Sequence, residues 1–239
     1  MSAQAVSDAL LRPVRPQNAF EDTVGRLLQT IRLGVIGPGE SLPPERELAA
    51  RLQVSRDTVR EAIKSLADAG YLVSRRGRYG GTFLADELPK PGAETGGTQG
   101  ITRAELNDAL VLREILEVGA ARMAAARTLT AAERELLWAR MTDVRGADPA
   151  DYRRLDSRLH LAIAELVRSP SLVPLLAENR MRVNRLLDRI PLLPRNIAHS
   201  DEQHEAIVIA ILAGDPDGAE ASMRAHIAGS AALLHGFLD

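Results

Sequence analysis

Residues 38–84 read PGESLPPERELAARLQVSRDTVREAIKSLADAGYLVSRRGRYGGTFL, and the fold of the first third of the chain turns on this stretch. Pro44 opens a short helix over 45–52 from the first-turn position that suits proline, where its missing N–H costs nothing. Ser55 caps the next helix, over 56–69, whose inward stripe is Val59, Ile63 and Leu66; Gly70 ends it. Two short strands follow around 71–75 and 82–85, joined by the tip Arg76-Gly77-Arg78-Tyr79-Gly80-Gly81. Upstream, Phe20, Val24, Leu27, Leu28 and Ile31 fall at helical spacing and predict a first amphipathic helix, ended by Gly34, Gly37, Pro38 and Gly39. Three helices and a hairpin make a winged helix-turn-helix.

With the stripe of helix 56–69 turned inward, Arg56, Arg60 and Lys64 lie on its outer side at i, i+4 and i+8. Cations at this spacing can lie in a major groove, where guanidinium forks match guanine O6/N7 or phosphate oxygens, and Asp57 can accept from a cytosine amine. The bland alternative is a solvated face on which Arg60 and Lys64 answer Asp57 and Glu61. Arg75, Arg76 and Arg78 among glycines favour the first reading, because such a hairpin can press on phosphates or enter a minor groove.

The remainder of the chain has a different character. Residues 86–100 (DELPKPGAETGGTQG) hold two prolines and four glycines and form a linker. Residues 1–16 lack periodicity and read as a loose tail. The domains expected are therefore a winged helix over 17–85 and an all-α bundle over 101–239. Thr102…Glu105, Thr130…Glu133 and Ser200…Gln203 each read as a capping box. Asp148-Pro149, Pro170-Ser171 and Asp215-Pro216 mark three more helix starts. Six helices are expected, near 103–127, 131–146, 149–168, 171–190, 201–213 and 216–237. The fold class is mainly α.

Charge follows the same division. Residues 1–85 carry 12 Lys+Arg against 9 Asp+Glu, whereas 101–239 carry 17 against 20, so only the first part is suited to a polyanion. The chain has no cysteine, which excludes disulfides, thiolate metal sites and cysteine nucleophiles and agrees with a reducing cytoplasm. No apolar run approaches the length of a membrane span.

All five histidines lie in the bundle. Asp156 and His160, four residues apart, share one helix face at the edge of the stripe Tyr152, Leu155, Leu159, Ile163 and Leu166. His204 begins the stripe continued by Ile207, Val208 and Ile211, and His226 aligns with Met223 and Leu233. Polar side chains at core-facing sites of three helices are how bundles build metal centres. Three imidazoles and a carboxylate suit zinc, or nickel or manganese, with positions left for an oxygen ligand. The alternative is three core-edge histidines bonded to neighbours; His199 and His235 have no ligand role. Arg113 sits in the inward arc of the first bundle helix, so it needs an anion: an internal carboxylate such as Glu117, or the carboxylate of an effector. Asn179 and Arg182, on the stripe of Leu175 and Leu186, are candidates to complete an effector pocket. A second stripe, Val111, Ile115 and Val118, is a candidate dimer contact.

The segment 38–84 resembles the winged helix of the GntR family of bacterial transcription regulators, whose pattern runs roughly pGe-LPsEreLA…gVSR-tVReAl-L-GlV-r-G-Gtfv. The resemblance implies DNA contacts from Arg46, Arg56, Thr58, Arg60 and Gly80 or Gly81, with Asp57 at a base-reading position that varies in the family. Pro44 replaces the usual serine. REILEVGAARMAAAR, the D-x3-H of Asp156/His160, HEAIVIAILAGD from His204 and MRAHI are similar to the FadR-type branch and its FCD ligand-binding domain. In metal-binding members of that branch the positions of Asp156, His160, His204 and His226 are the ligands. The usual aromatic residue before the histidine of D-x3-H is Leu159 here. The resemblance covers residues 17–237. It implies a homodimeric repressor on a palindromic double-stranded operator, controlled by a small organic acid bound at a divalent metal. A regulator sensing the ion itself is the nearest alternative. A metalloenzyme is a more distant one, since HExxH, GxSxG and P-loop motifs are absent and no motif places a carboxylate as general base.

Overall fold

The helix starts show how directly local chemistry sets this structure. In a computed structural model, which describes residues 19–75, 77, 80–89, 102–190 and 192–238, Ser55 is extended and its Oγ accepts from the Thr58 N–H at 3.0 Å. Thr102 and Thr130 form complete capping boxes with Glu105 and Glu133, each hydroxyl and carboxylate satisfying the other residue's backbone N–H. The described elements are α1 (Ala19–Arg32), α2 (Glu45–Leu52), α3 (Arg56–Asp68), β1 (Leu72–Arg75), β2 (Gly81–Leu84), α4 (Arg103–Ala125), α5 (Ala131–Arg145), α6 (Tyr152–Leu166), α7 (Leu172–Leu187), α8 (Pro194–Ala213) and α9 (Pro216–Leu238). The chain is thus mainly helical.

Two compact units emerge, Met1–Leu28 with Pro38–Lys90, and Gln29–Gly37 with Pro91–Asp239. Residues 29–37 therefore group with the second unit, although they lie inside the stretch that the sequence assigns to the first. In the first unit Val59, Ala62, Ile63 and Leu66 of α3 are buried together with Leu48 of α2 and Leu72 and Leu84 of the hairpin. β1 and β2 are antiparallel, with Leu72 opposite Leu84 and Arg75 opposite Gly81. The segment before Pro43-Pro44 adds to the other edge of β2: Ser41 pairs with Phe83, and the Leu42 N–H donates to Thr82 O at 2.8 Å. The residue before a proline is biased to extended backbone, which suits such pairing.

In the second unit α9 packs on α4 and α8, α7 on α4 and α6, and α5 on α6 and α8. The core contains Val118, Ala121 and Ala124 of α4, Leu159 and Ile163 of α6, Ile207, Val208 and Ile211 of α8, and Met223 and Ile227 of α9. Leu33 packs into the same core. Beside it Gly34 has φ +66°, and a Cβ there would meet the Arg154 backbone oxygen at 2.9 Å, so both conformation and space require glycine.

Two expectations need correction. The fifth bundle helix begins at Pro194, with proline in its first turn, and Ser200 lies inside it. Ser200…Gln203 is therefore not a capping box, because proline six residues earlier already starts the helix. Val118 is only 5% exposed and belongs to the core, whereas Val111 and Ile115 are 58% and 65% exposed. Seven residues on an α-helix return to within about 20° of the starting direction, so the burial of Val118 is decided by the helices packed at its level and not by its spacing from Val111. The sixth-helix and remaining starts fall within a few residues of expectation, with α6 delayed to Tyr152 by a turn in which the Asp151 and Tyr152 N–H groups both donate to Asp148 O. No helix among the described residues is long and apolar enough to cross a membrane.

Candidate metal centre and DNA-facing surface

On α3, Arg56, Asp57, Arg60 and Lys64 are all exposed, as is Arg46 on α2. Arg60 spans two helices: Nη1 donates to Asp57 Oδ1 and Nη2 to Glu45 Oε2, each at 3.1 Å. The solvated-face partner Asp57 is thus present, and the cross-helix partner Glu45 is one that spacing along α3 cannot show. Such exposed pairs are weak, about 0–1 kcal/mol, and exchange readily for phosphate or base contacts. Thr58 is half-buried, and its hydroxyl lies 2.8 Å from Ser55 Oγ. Gly80 and Gly81 are exposed at the start of β2. Arg75 is held 4.6 Å over the Phe83 ring, a cation–π contact that stiffens the hairpin. Arg76 and Arg78 lie outside the described residues.

In the bundle, Asp156 and His160 of α6, His204 of α8 and His226 of α9 converge, all buried, with a donor atom from each within 4.8 Å of the others. His160 and His204 meet edge-on, with ring centres 5.6 Å apart, and His204 and His226 are 4.5 Å apart. Asp156 Oδ1 lies 3.2 Å from His204 Nε2 and 3.7 Å from His160 Nε2. None of the three Nε2 atoms makes a hydrogen bond of acceptable geometry, the short approach to Asp156 included. Buried imidazole nitrogens without partners cost free energy unless something else binds them. Their convergence with one carboxylate oxygen fits a divalent ion.

Partners of these residues are ones that the sequence reading missed. Arg180 of α7 is fully buried; it donates to Asp156 Oδ2, to Ser157 Oγ at 3.2 Å and to Glu117 Oε1 at 3.4 Å. Gln203 Oε1 lies 3.2 Å from His226 Nδ1. Electrostatics follow from this packing. Burial opposes ionisation of Asp156, but the Arg180 guanidinium overcomes it and holds the carboxyl well below its ordinary range. Glu117 is likewise held low against its burial by the guanidinium groups of Arg113 and Arg180. Burial, and then the neighbouring histidines and Arg113, push His226 well below the ordinary imidazole range; burial also lowers His160. These two imidazoles are therefore kept neutral, the form that can ligate a metal.

Beside the cluster lies a cavity of about 70 Å³, reached by Arg113, Asp156, Tyr152, His226 and Ser230 on its polar side and by Leu187, Ile190 and Leu233 on its apolar side. Arg113 is buried, with Nε donating to Glu117 Oε2 at 3.2 Å and Nη1 to Ser230 Oγ at 2.7 Å. The internal carboxylate is thus in place, and the residue also lines the cavity. Tyr152 belongs to the inward stripe of α6, yet its hydroxyl is buried without a partner, and burial followed by the charge of Asp156 raises its pKa. Asn179 and Arg182 do not line this cavity. Asn179 Nδ2 donates to Ala109 O at 3.2 Å, and Arg182, one-third exposed, pairs with Asp108 at 2.6 Å.

The two units define a DNA-binding regulator with a helical ligand-binding domain. The family model for bacterial regulatory proteins of the gntR family matches residues 20–84, and that for the FCD domain matches 108–229. The chain belongs to the GntR family of bacterial transcription regulators and carries an FCD domain. It is 32% identical over 228 residues to the "Putative L-lactate dehydrogenase operon regulatory protein" of Escherichia coli (strain K12), covering 90% of this chain and 85% of that one. It is 28% identical to the HTH-type transcriptional regulator LutR of Bacillus subtilis (strain 168), covering 87% and 98%. The solved structure of E. coli McbR/YncC shares the fold, with a TM-score of 0.58 at 17% identity, over 93% of this chain and 100% of that one. Families and relatives alike are regulators, so the metalloenzyme alternative falls.

Proposed function

We propose that this regulator is a homodimeric repressor whose affinity for a palindromic operator is controlled by a small organic acid bound at a divalent metal ion, zinc in the first instance. Asp156, His160, His204 and His226 would hold the ion; as a Lewis acid it would supply an attachment point for a carboxylate. Arg113, on the wall of the adjoining cavity, is the second anchor for that acid. The observation that carries this reading is the convergence of three partnerless imidazole nitrogens and one carboxylate oxygen, buried beside a cavity that a guanidinium enters. Asn179 and Arg182 are left out of the effector site, since their side chains are engaged elsewhere.

On the DNA side, Arg56, Asp57, Arg60 and Lys64 face the major groove, with Arg46, Thr58, the wing arginines Arg76 and Arg78, and Gly80 and Gly81 against the backbone or the minor groove. Half-sites are read in pairs, which requires two copies, and the exposed Val111 and Ile115 of α4 supply part of the contact between them. The E. coli relative is named for an L-lactate dehydrogenase operon, so L-lactate is the first acid to try. The test is fluorescence anisotropy on an operator selected from randomised duplexes, with zinc-loaded protein. A change in affinity on adding L-lactate or another small acid, lost in His204→Ala, supports the proposal. Indifference to every acid in both proteins would count against it.

A further inference from the structure

Each cluster residue except His204 has a polar neighbour outside the cluster, and Glu117 commands two of them. Glu117 follows Arg113 by one turn of α4 and is buried. Its Oε2 lies 2.7 Å from His160 Nδ1, a close approach off ideal hydrogen-bond geometry, and 3.2 Å from Arg113 Nε, while its Oε1 accepts from Arg180 Nη1 at 3.4 Å. Arg180 extends the chain, with Nη2 donating to Asp156 Oδ2. Asp156 therefore has Oδ2 committed to a guanidinium and Oδ1 turned towards the imidazoles, 3.2 Å from His204 Nε2.

A neutral imidazole carries one N–H and one lone pair. A carboxylate oxygen 2.7 Å from Nδ1 repels a lone pair and favours the proton there, which leaves the lone pair on Nε2, facing the cluster. Similarly, an aspartate whose one oxygen is held by a guanidinium offers its other oxygen in a fixed direction. We propose that Glu117 is a positioning residue for the metal centre: it fixes the tautomer of His160 directly and, through Arg180, aims Asp156 Oδ1 at the same point. This rests on the reading of the cluster as a metal centre. Arg113 shares the same carboxylate and lines the cavity, so the residue that orients the ligands also touches the effector anchor.

Neutralising two buried guanidinium groups is a role that Glu117 would fill in any case. Positioning is separable from it, because charge balance places no demand on the His160 tautomer. The experiment is zinc titration by calorimetry on full-length wild type and Glu117→Gln, together with nitrogen NMR of the metal-free wild type labelled in histidine. Zinc affinity is expected to fall about 10–100-fold in Glu117→Gln, and the His160 proton to reside on Nδ1. Equal affinity in the two proteins overturns this assignment and leaves the metal reading standing. A proton on Nε2 in the wild type does the same, and that measurement needs no variant to fold. A wild type that takes up none of zinc, nickel and manganese overturns the metal reading itself, and the assignment with it.

Discussion

Replacing His204 by alanine should abolish the thermal stabilisation that zinc confers. The four donors come from α6, α8 and α9, so an ion bound to all of them ties three helices together and is available only to the folded state. At free zinc a hundredfold above the dissociation constant, that linkage contributes about 2.7 kcal/mol. A domain of this size melts about 3 °C higher per kcal/mol, so the wild type should gain about 8 °C. Removing a ligand should weaken binding at least as much as removing a supporting residue does, about 100-fold. At the same free zinc the variant then gains only about 0.4 kcal/mol, a shift of about 1 °C. Comparing each protein with and without zinc cancels the intrinsic cost of truncating a buried imidazole. The assay is a melt followed by circular dichroism, with chelator reversing the shift. Equal zinc shifts in wild type and variant would refute the ligand assignment, and so would no shift in wild type with zinc, nickel or manganese.

Arg56→Ala should weaken operator binding by about 1–3 kcal/mol, or about 5–150-fold; unchanged gel-shift affinity in both Arg56→Ala and Arg60→Ala would sink the groove-facing role of α3. Ile115→Arg should convert a dimer to a monomer in sedimentation at micromolar concentration, and a variant that stays dimeric would exclude that stripe from the interface. The Arg168 guanidinium, then the Thr130 backbone N–H and hydroxyl, lower the Glu133 carboxyl to about 2 from an ordinary value of 4.5. Because the folded-state value is depressed, its contribution to stability is fully present above pH 4.5 and is lost as pH falls towards 2. Glu133→Gln should therefore flatten the acid side of the stability curve, and a variant curve parallel to wild type through that window would show that the cap contributes nothing.

Much of this site was legible because it is written at helical spacing. Asp156 and His160 are one turn apart, so any α-helix through them presents both on one face, and burial on α6 follows from the leucines and isoleucine beside them. His204 and His226 each head or join an apolar stripe, which points them inward whatever the neighbouring helix does. Arg180 gave no such signal. It follows Asn179 directly and lies two positions before Arg182, in a run of polar residues, and the stripe of Leu175 and Leu186 favoured the wrong neighbours. Leu175 is in fact exposed, which rotates α7 and puts Arg180 inside and Arg182 at Asp108 on the surface. The weak signal available was buried-charge arithmetic: with Arg113 answered by Glu117, Asp156 still needed a cation.

The sequence by itself determined what depends on neighbours along the chain. It set the two capping boxes at Thr102 and Thr130, the proline start of α2, the Ser55 cap of α3 and the inward faces that carry Asp156, His160, His204 and His226. Backbone hydrogen bonding and side-chain direction at these places are settled within one helical turn. Only the tertiary structure decided what those faces meet: Ser41 against Phe83, Arg60 bridging to Glu45, Val118 in the core, and the chain from Arg113 through Glu117 and Arg180 to Asp156. These contacts depend on how far each helix is rotated and advanced against its partner. A rotation of a few tens of degrees changes little along a helix, yet across a packed interface it exchanges one guanidinium for another.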